Sequence, residues 1–387
     1  MLPAIVIPAY NRPYTLSRLL TSLNTASYPP DVNVPLVISI DLYNGTPNHE
    51  VLKVAQDFPW AHGSKELLVH DTHLGLLKNF YFCGNLTKKF DSVIFLEDDL
   101  VVSPVYYQYA LRALEFFEYD QKIAGISLYR YAFNGYTHYP FDVLEDGSDV
   151  FFMQLPSILG QVWSKGQWER FEGWRMDENV IEVFNGLHAV WSKFDAEDYF
   201  PVLTKYLALT DQYYAFPRVS LTTGFGDAGT HFVNTTSYFQ VPLQLGPISF
   251  RIKTLDVSNL LFDSFMEIKP ICLNRIAPIL DGYDFDVDLN ASKEARNLQQ
   301  EYVLTVRDCV NPVKTFALAM RPLEANVAFG IQGVGVSLCR RSDILWGRWN
   351  TFQARQRLYN YFFSRSRSNF RQYLKSLIFN MLSRIRR

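Results

Sequence analysis

The chain has 387 residues, 48% of them hydrophobic and 20% charged, with a formal net charge of −2. Such a length exceeds the usual ceiling for one hydrophobic core, so two domains are expected of an otherwise ordinary globular composition. No uncharged apolar run reaches the ~18 residues needed to span a bilayer, which excludes a membrane-spanning helix.

The four cysteines (Cys83, Cys272, Cys309, Cys339) form no CxxC pair and no Cys/His metal pattern. In a chain this long they read as reduced thiols of a cytosolic protein. Residues 2–8 are too short for the apolar region of a signal peptide and run straight into Asn11-Arg12-Pro13. Cytoplasmic residence is the expectation. The N-x-T sequons at Asn85 and Asn234 would matter only in a secretory compartment.

Ala4-Ile5-Val6-Ile7 predicts a buried strand stopped by Pro8, and residues 14–23 predict an amphipathic helix with Leu16, Leu19, Leu20 and Leu23 on one face. A second strand, Leu36-Val37-Ile38-Ser39-Ile40, ends on Asp41. A third covers 66–70, and a fourth, over 91–96, ends on Glu97-Asp98-Asp99. Strand and helix signals alternate, so an α/β domain with a mainly parallel sheet is expected. Ligands of open α/β sheets bind beyond the carboxyl ends of the strands. Pro8-Ala9-Tyr10-Asn11, Asp41 and the acidic triplet are therefore expected to converge on one crevice. No GxGxxG follows the first strand and no GxxxxGK[ST] occurs, which argues against dinucleotide and P-loop chemistry.

From about Ile248 the texture changes to short segments separated by turns, as in a β-rich domain. Phe250-Arg251-Ile252, Leu260-Leu261-Phe262, Tyr302-Val303-Leu304, Phe316-Ala317-Leu318 and Val334-Gly335-Val336 are the expected strands. The organisation read from this pattern is a catalytic domain over 1–245, a β-rich accessory domain over 246–340 and a tail over 341–387. Asp284, Asp286 and Asp288 alternate with apolar residues but lack the central Gly and acidic twelfth position of an EF-hand, so a strand with a solvated acidic face is expected. From Arg340 the chain carries twelve Lys and Arg against one acid, Asp343. Aromatic and aliphatic residues interleave with them at helical spacing. The pattern fits an amphipathic helix on an anionic membrane surface, or a docked helix with its basic face in water. A basic tail without a recognisable module gives nucleic-acid binding little support.

Three adjacent carboxylates at a strand end repel one another, and a bound divalent cation removes that penalty. Hard oxygen ligands suit Mg²⁺ or Mn²⁺, which leave coordination positions for phosphate oxygens. The alternative is an acidic solvent loop.

Ile5-Val6-Ile7-Pro8-Ala9-Tyr10-Asn11-Arg12, the strand ending on Asp41, and Val93-Ile94-Phe95-Leu96-Glu97-Asp98-Asp99-Leu100 together resemble the GT-A fold (Rossmann-like) glycosyltransferases. The likeness is to family 2-type enzymes and to N-acetylglucosaminyltransferase I, and it covers about residues 3–240. It implies an inverting, metal-dependent transferase moving a hexosyl or N-acetylhexosaminyl group from a UDP-type donor to a carbohydrate or glycolipid acceptor. By resemblance, Pro8, Ala9, Tyr10, Asn11, Arg12 and Asp41 contact the donor nucleotide, Glu97 and Asp98 the ribose and sugar, and Asp99 the metal. Lys78, in the His73-Leu74-Gly75-Leu76-Leu77-Lys78-Asn79 segment, lies near the donor; without the resemblance it reads as a solvated helix residue. His231, in a glycine-rich loop, completes the metal shell or touches the diphosphate. Gly160 and Trp163 border the acceptor, although Trp163 reads equally as core. An inverting transfer also needs a general base, sought among Asp195, Glu197 and Asp198, with Asp198 favoured and Asp195 equally readable as a helix cap.

A non-catalytic carbohydrate-binding or scaffold protein on a decayed transferase fold is the alternative. A sugar nucleotidyltransferase is disfavoured because Pro8-Ala9-Tyr10-Asn11 replaces the glycine-rich loop expected for a nucleoside triphosphate. Assembly of a surface polysaccharide at the inner face of a membrane would suit a basic amphipathic tail.

Overall fold

The computed structural model describes residues 2–157, 159–177, 186–194, 198–227 and 235–363. Contacts divide the chain into two compact units, Met1–Ala132 with Glu145–Cys272, and Phe133–Leu144 with Leu273–Arg387. The division falls at residue 272 rather than near 245. Leu260-Leu261-Phe262, expected in the second domain, instead supplies an edge strand to the first unit's sheet.

The first unit is a mixed α/β fold. It opens with β1 (Ala4–Ala9), α1 (Pro13–Asn24), β2 (Leu36–Ile40), the small hairpin β3 (Leu42–Tyr43) and β4 (Thr46–Pro47), and α2 (His49–Asp57). Next come β5 (Lys65–Val69), α3 (Gly75–Asn85), α4 (Thr87–Phe90), β6 (Ser92–Phe95), β7 (Leu100–Val102) and α5 (Tyr106–Phe116). β8 (Ile123–Ser127), β9 (Val150–Met153), β10 (Gln161–Ser164), α6 (Lys165–Arg175), α7 (Tyr199–Thr210), β11 (Tyr213–Pro217), β12 (Thr222–Gly224) and β13 (Leu261–Phe262) complete it, and α8 (Pro270–Ile276) spans the division.

Nine of these strands form one sheet in the order β13-β9-β11-β8-β10-β6-β1-β2-β5. β6, β1, β2 and β5 run parallel. β10 then enters antiparallel between β6 and β8, so the sheet is rich in parallel pairs without being wholly parallel. β1, β2 and β6 are buried on both faces apart from Pro8, which explains their unbroken apolar runs. α1 starts on Pro13 and buries Leu16, Leu19, Leu20 and Leu23, as its spacing predicts. Each buried leucine contributes roughly 1.5–3 kcal/mol.

β1 continues through Pro8 to Ala9, past the expected stop. Pairing with β6 ends at Val6↔Phe95, while pairing with β2 runs on to Ala9↔Ile40. Pro8 is thus on the side where the ladder has already ended, and its missing N–H deprives no partner.

The second unit contains β14 (Phe285–Asp288), β15 (Tyr302–Thr305), β16 (Pro312–Ala317) and β17 (Gly335–Arg340), in the sheet order β14-β15-β17-β16, with α9 (Leu323–Ala328) and α10 (Arg348–Phe363). Asp288 departs from the solvated acidic face expected of it. It is fully buried, receives the Arg307 Nε–H at 2.7 Å and accepts the Ser292 and Lys293 amides. Phe250-Arg251-Ile252 is irregular rather than a strand. The tail beyond Phe363 lies outside the described residues, and no described helix is long and apolar enough to cross a membrane.

Candidate functional site

The parallel run β5-β2-β1-β6 brings the residues after β1, β2 and β6 to one edge of the first unit. Tyr10 to Arg12, Asp41 and Glu97 to Asp99 therefore lie together at that edge, where ligands of open α/β sheets bind.

Asp41 organises the loop on one side. Its Oδ1 accepts the amides of Leu42 and Leu74 at 2.8 Å each, and its Oδ2 accepts that of Gly75 at 2.9 Å. The His73 Nδ1 lies 3.1 Å from the same carboxylate. Asp41, 3% exposed, thus ties the end of β2 to the start of α3, where Gly75 turns the chain with φ +72°. Around it Tyr10, Tyr43 and His73 form an aromatic group: ring centroids are 5.4 Å apart for Tyr10–Tyr43 and 5.5 Å for Tyr10–His73. Tyr10 and Tyr43 are each more than a third exposed, so this group faces solvent. Tyr43 was not singled out from the sequence. Lys78 is exposed on α3 and has no part in the Asp41 loop.

The acidic triplet is held at both ends. Arg12 donates from Nη1 to Asp99 Oδ2 at 2.9 Å and from Nη2 to Asp98 Oδ1. Burial opposes the Arg12 charge, but the pull of Asp98 and Asp99 outweighs it and raises the guanidinium further. Tyr199, at the start of α7, donates its hydroxyl to Glu97 Oε1 at 2.9 Å and stacks on Phe80 with centroids 4.1 Å apart. Burial, then the charge of Asp99, pushes the Glu97 carboxyl up to about 8 despite that hydrogen bond. Burial likewise outweighs Arg12 at Asp98 and raises it to about 7. Two desolvated carboxyls beside a third, with one guanidinium across them, favour additional positive charge.

Arg18, which the sequence reading did not select, adds a second cation. It pairs through Nη2 with Asp227 Oδ2, and the same nitrogen lies 3.4 Å from the Asp99 carbonyl oxygen. Its guanidinium lies over Phe225, 3.6 Å from the ring centroid. Gly226, between these two partners, has φ +66°, and a Cβ there would fall 1.5 Å from the Thr236 carbonyl oxygen. Only glycine fits that position. Both Arg18 and Tyr199 reach the triplet from far along the sequence, so no local pattern announced them.

Gly160 precedes β10 at the same edge. Its φ is +98°, and a Cβ would meet Thr222 at 3.1 Å, Leu128 at 3.2 Å and Leu96 at 3.3 Å. Trp163 does not border the crevice. It is 1% exposed, packs against Phe80, Phe95 and Trp168, and donates its indole N–H to the Tyr214 hydroxyl at 2.7 Å. An apolar ring with its N–H satisfied inside the aromatic core explains that placement. Asp198, rather than Asp195, caps α7: its Oδ1 accepts the Phe200 amide at 2.8 Å. Asp195, Glu197 and His231 lie outside the described residues.

Among the described residues no group of three or more His, Cys, Asp or Glu side chains is arranged to hold a metal ion. The acidic segment nevertheless fits one. Asp99 Oδ1 is buried without a hydrogen-bond partner, an arrangement costly for a carboxylate oxygen unless a ligand meets it. Mg²⁺ and similar ions commonly take only one or two carboxylates and complete their shell with phosphate and water oxygens.

No family profile matches the chain, and no curated protein matches it in sequence. Among solved structures it is similar to S. aureus TarS 1-349, at 12% identity and TM-score 0.36 over 57% of this chain and 60% of that one. It is also similar to a mannosyltransferase of Pyrobaculum calidifontis solved with GDP-Man and Mn²⁺, at 14% identity and TM-score 0.31 over 44% and 47% of the two chains. A cytidylyltransferase of Leptospira borgpetersenii matches at 12% identity and TM-score 0.28 over 45% and 64%. The chain thus spans 60%, 47% and 64% of those chains, less than two thirds of each.

Proposed function

We propose that the chain is a nucleotide-sugar glycosyltransferase of the GT-A type, related in design to family 2 enzymes and N-acetylglucosaminyltransferase I. It transfers a sugar with inversion from a UDP-type donor to a carbohydrate or glycolipid acceptor. The observation that carries this reading is the acidic segment after β6, set beside Arg12 at the carboxyl edge of parallel strands, with Asp99 Oδ1 buried and unpartnered.

In this reading the Tyr10 aromatic group and the Asp41 loop receive the base and ribose. Glu97 and Asp98 face the ribose and donor sugar. Asp99, with His231, would hold Mn²⁺ or Mg²⁺, which supplies Lewis-acid stabilisation of the leaving nucleoside diphosphate. Arg12 places a guanidinium where diphosphate charge develops. Gly160 allows close backbone approach of an acceptor, and the 195–198 window supplies the general base. The second unit would recognise acceptor or partner, and the basic tail would make a peripheral membrane contact.

One observation favours a second reading, a non-catalytic carbohydrate-binding protein. Arg12 already bridges Asp98 and Asp99, taking part of the role a cation would have. A screen of nucleotide sugars for Mn²⁺-dependent donor hydrolysis separates the two. UDP-GlcNAc and GDP-Man, present in the TarS and mannosyltransferase structures, are the first to try. Turnover of at least one donor that ceases on chelation is expected. A full panel without hydrolysis or metal-linked nucleotide binding would favour the second reading.

A further inference from the structure

We infer that Arg18 is a diphosphate-binding residue of this site, and that Asp227 and Phe225 hold it in place for that task. The inference rests on the donor-site reading above. Arg18 comes from the middle of α1, on the turn after the buried Leu16 and beside the buried Leu19. Its side chain is 16% exposed. A long cation so placed needs each donor satisfied. Nη1 and Nη2 face Asp227, Nη2 also approaches the Asp99 carbonyl oxygen, and Phe225 covers one face of the guanidinium. Nε is buried and has no partner. A guanidinium fixed by an ion pair and a ring, with a buried donor left over, is prepared to receive a further acceptor.

The acceptor's chemistry follows from the surroundings. Asp99 contributes its backbone carbonyl to Arg18 and leaves its own Oδ1 buried and unpartnered. A ligand that satisfies both groups presents an anionic oxygen to the guanidinium and brings a cation to the carboxylate. A metal-bound diphosphate has that pairing of charges. Arg18 would thus act with Arg12, each guanidinium approaching Asp99 from a different part of the chain: Arg12 at the side chain and Arg18 at the carbonyl.

The test compares UDP with uridine, each titrated into the full chain with Mn²⁺. Arg18→Gln removes the charge. Arg18→Lys keeps the charge beside Asp227 and removes the Nε donor, so it reports on the same contact in a fold with its ion pair retained. Each variant should lose UDP affinity by roughly 10- to 100-fold, the range of one hydrogen bond to a charged group. Uridine affinity should stay within about twofold of wild type. Equal losses for UDP and uridine would assign Arg18 a purely structural role and overturn the inference, as would unchanged UDP affinity in both variants. If wild-type protein binds neither UDP nor another nucleoside diphosphate, the donor-site reading itself fails, and this assignment with it.

Discussion

Asp198 illustrates how one side chain can be read two ways at the level of a single residue. Its Oδ1 caps α7 by accepting the Phe200 amide, and it stands one residue from Tyr199, which holds Glu97. Asn caps helices about as well as Asp but cannot take a proton from an acceptor hydroxyl. Asp198→Asn should therefore keep the melting temperature and UDP affinity. If Asp198 is the base, sugar transfer should fall about 100-fold or more, as measured by initial rates on a saturating donor. Transfer within a few-fold of wild type would reduce Asp198 to its capping role and leave Asp195 and Glu197 for the base. The residues that could be picked from sequence were those whose role follows from a strand end: Tyr10, Asp41 and the acidic triplet stand directly after apolar runs. Arg18 and Tyr199 could not be picked this way. Their contacts with Asp99 and Glu97 span 81 and 102 positions, and nothing local distinguishes a helical arginine or a tyrosine that makes such a contact.

Among the elements, α3 and α6 meet at a junction that supports the crevice. Gly84 sits near the end of α3, and a Cβ there would lie 2.1 Å from the Trp168 ring of α6. Trp168 in turn packs on Trp163 and Phe80, and Phe80 carries Tyr199. Gly84→Ala should destabilise the protein by about 1–3 kcal/mol, the usual cost of overpacking, measured by urea unfolding. A neutral effect would show that Trp168 moves aside freely. The early elements were legible because β1, β2 and β6 are continuous apolar runs and α1 carries a helical period. The antiparallel entry of β10 between β6 and β8 was not, because strand order depends on pairing between distant segments. Of the two readings of Trp163 the buried one holds, because Tyr214, Phe80 and Phe95 arrive from three other elements to enclose it.

Over the whole molecule, the texture changes after Ile248, whereas contacts divide the chain at residue 272 and join Phe133–Leu144 to the second unit. Leu261 and Phe262 look like the short strands that follow them, yet pair with β9 in the first unit. The buried Asp288–Arg307 pair was equally hidden, since alternation alone gives an acid no reason to face inward. Glu324, 8% exposed in α9, makes the stability of the second unit depend on pH. Burial, with an addition from Asp142, raises its carboxyl to about 7 from an ordinary 4.5. The folded state therefore holds a proton that the unfolded chain releases between these values. Its contribution is full below pH ~4.5 and is lost as pH rises through about 7, on the order of 3 kcal/mol in all. Glu324→Gln should remove that part of the decline between pH 5 and 8 in denaturant unfolding; an unchanged slope would mean the carboxyl is not perturbed. The metal role of the segment after β6 is tested by calorimetric titration of UDP into wild-type and Asp99→Asn protein, with and without Mn²⁺. Mn²⁺ should tighten wild-type binding by about tenfold or more, roughly 1.4 kcal/mol, and Asp99→Asn should abolish the gain. UDP affinity indifferent to the metal, or a metal effect that survives Asp99→Asn, would contradict that role.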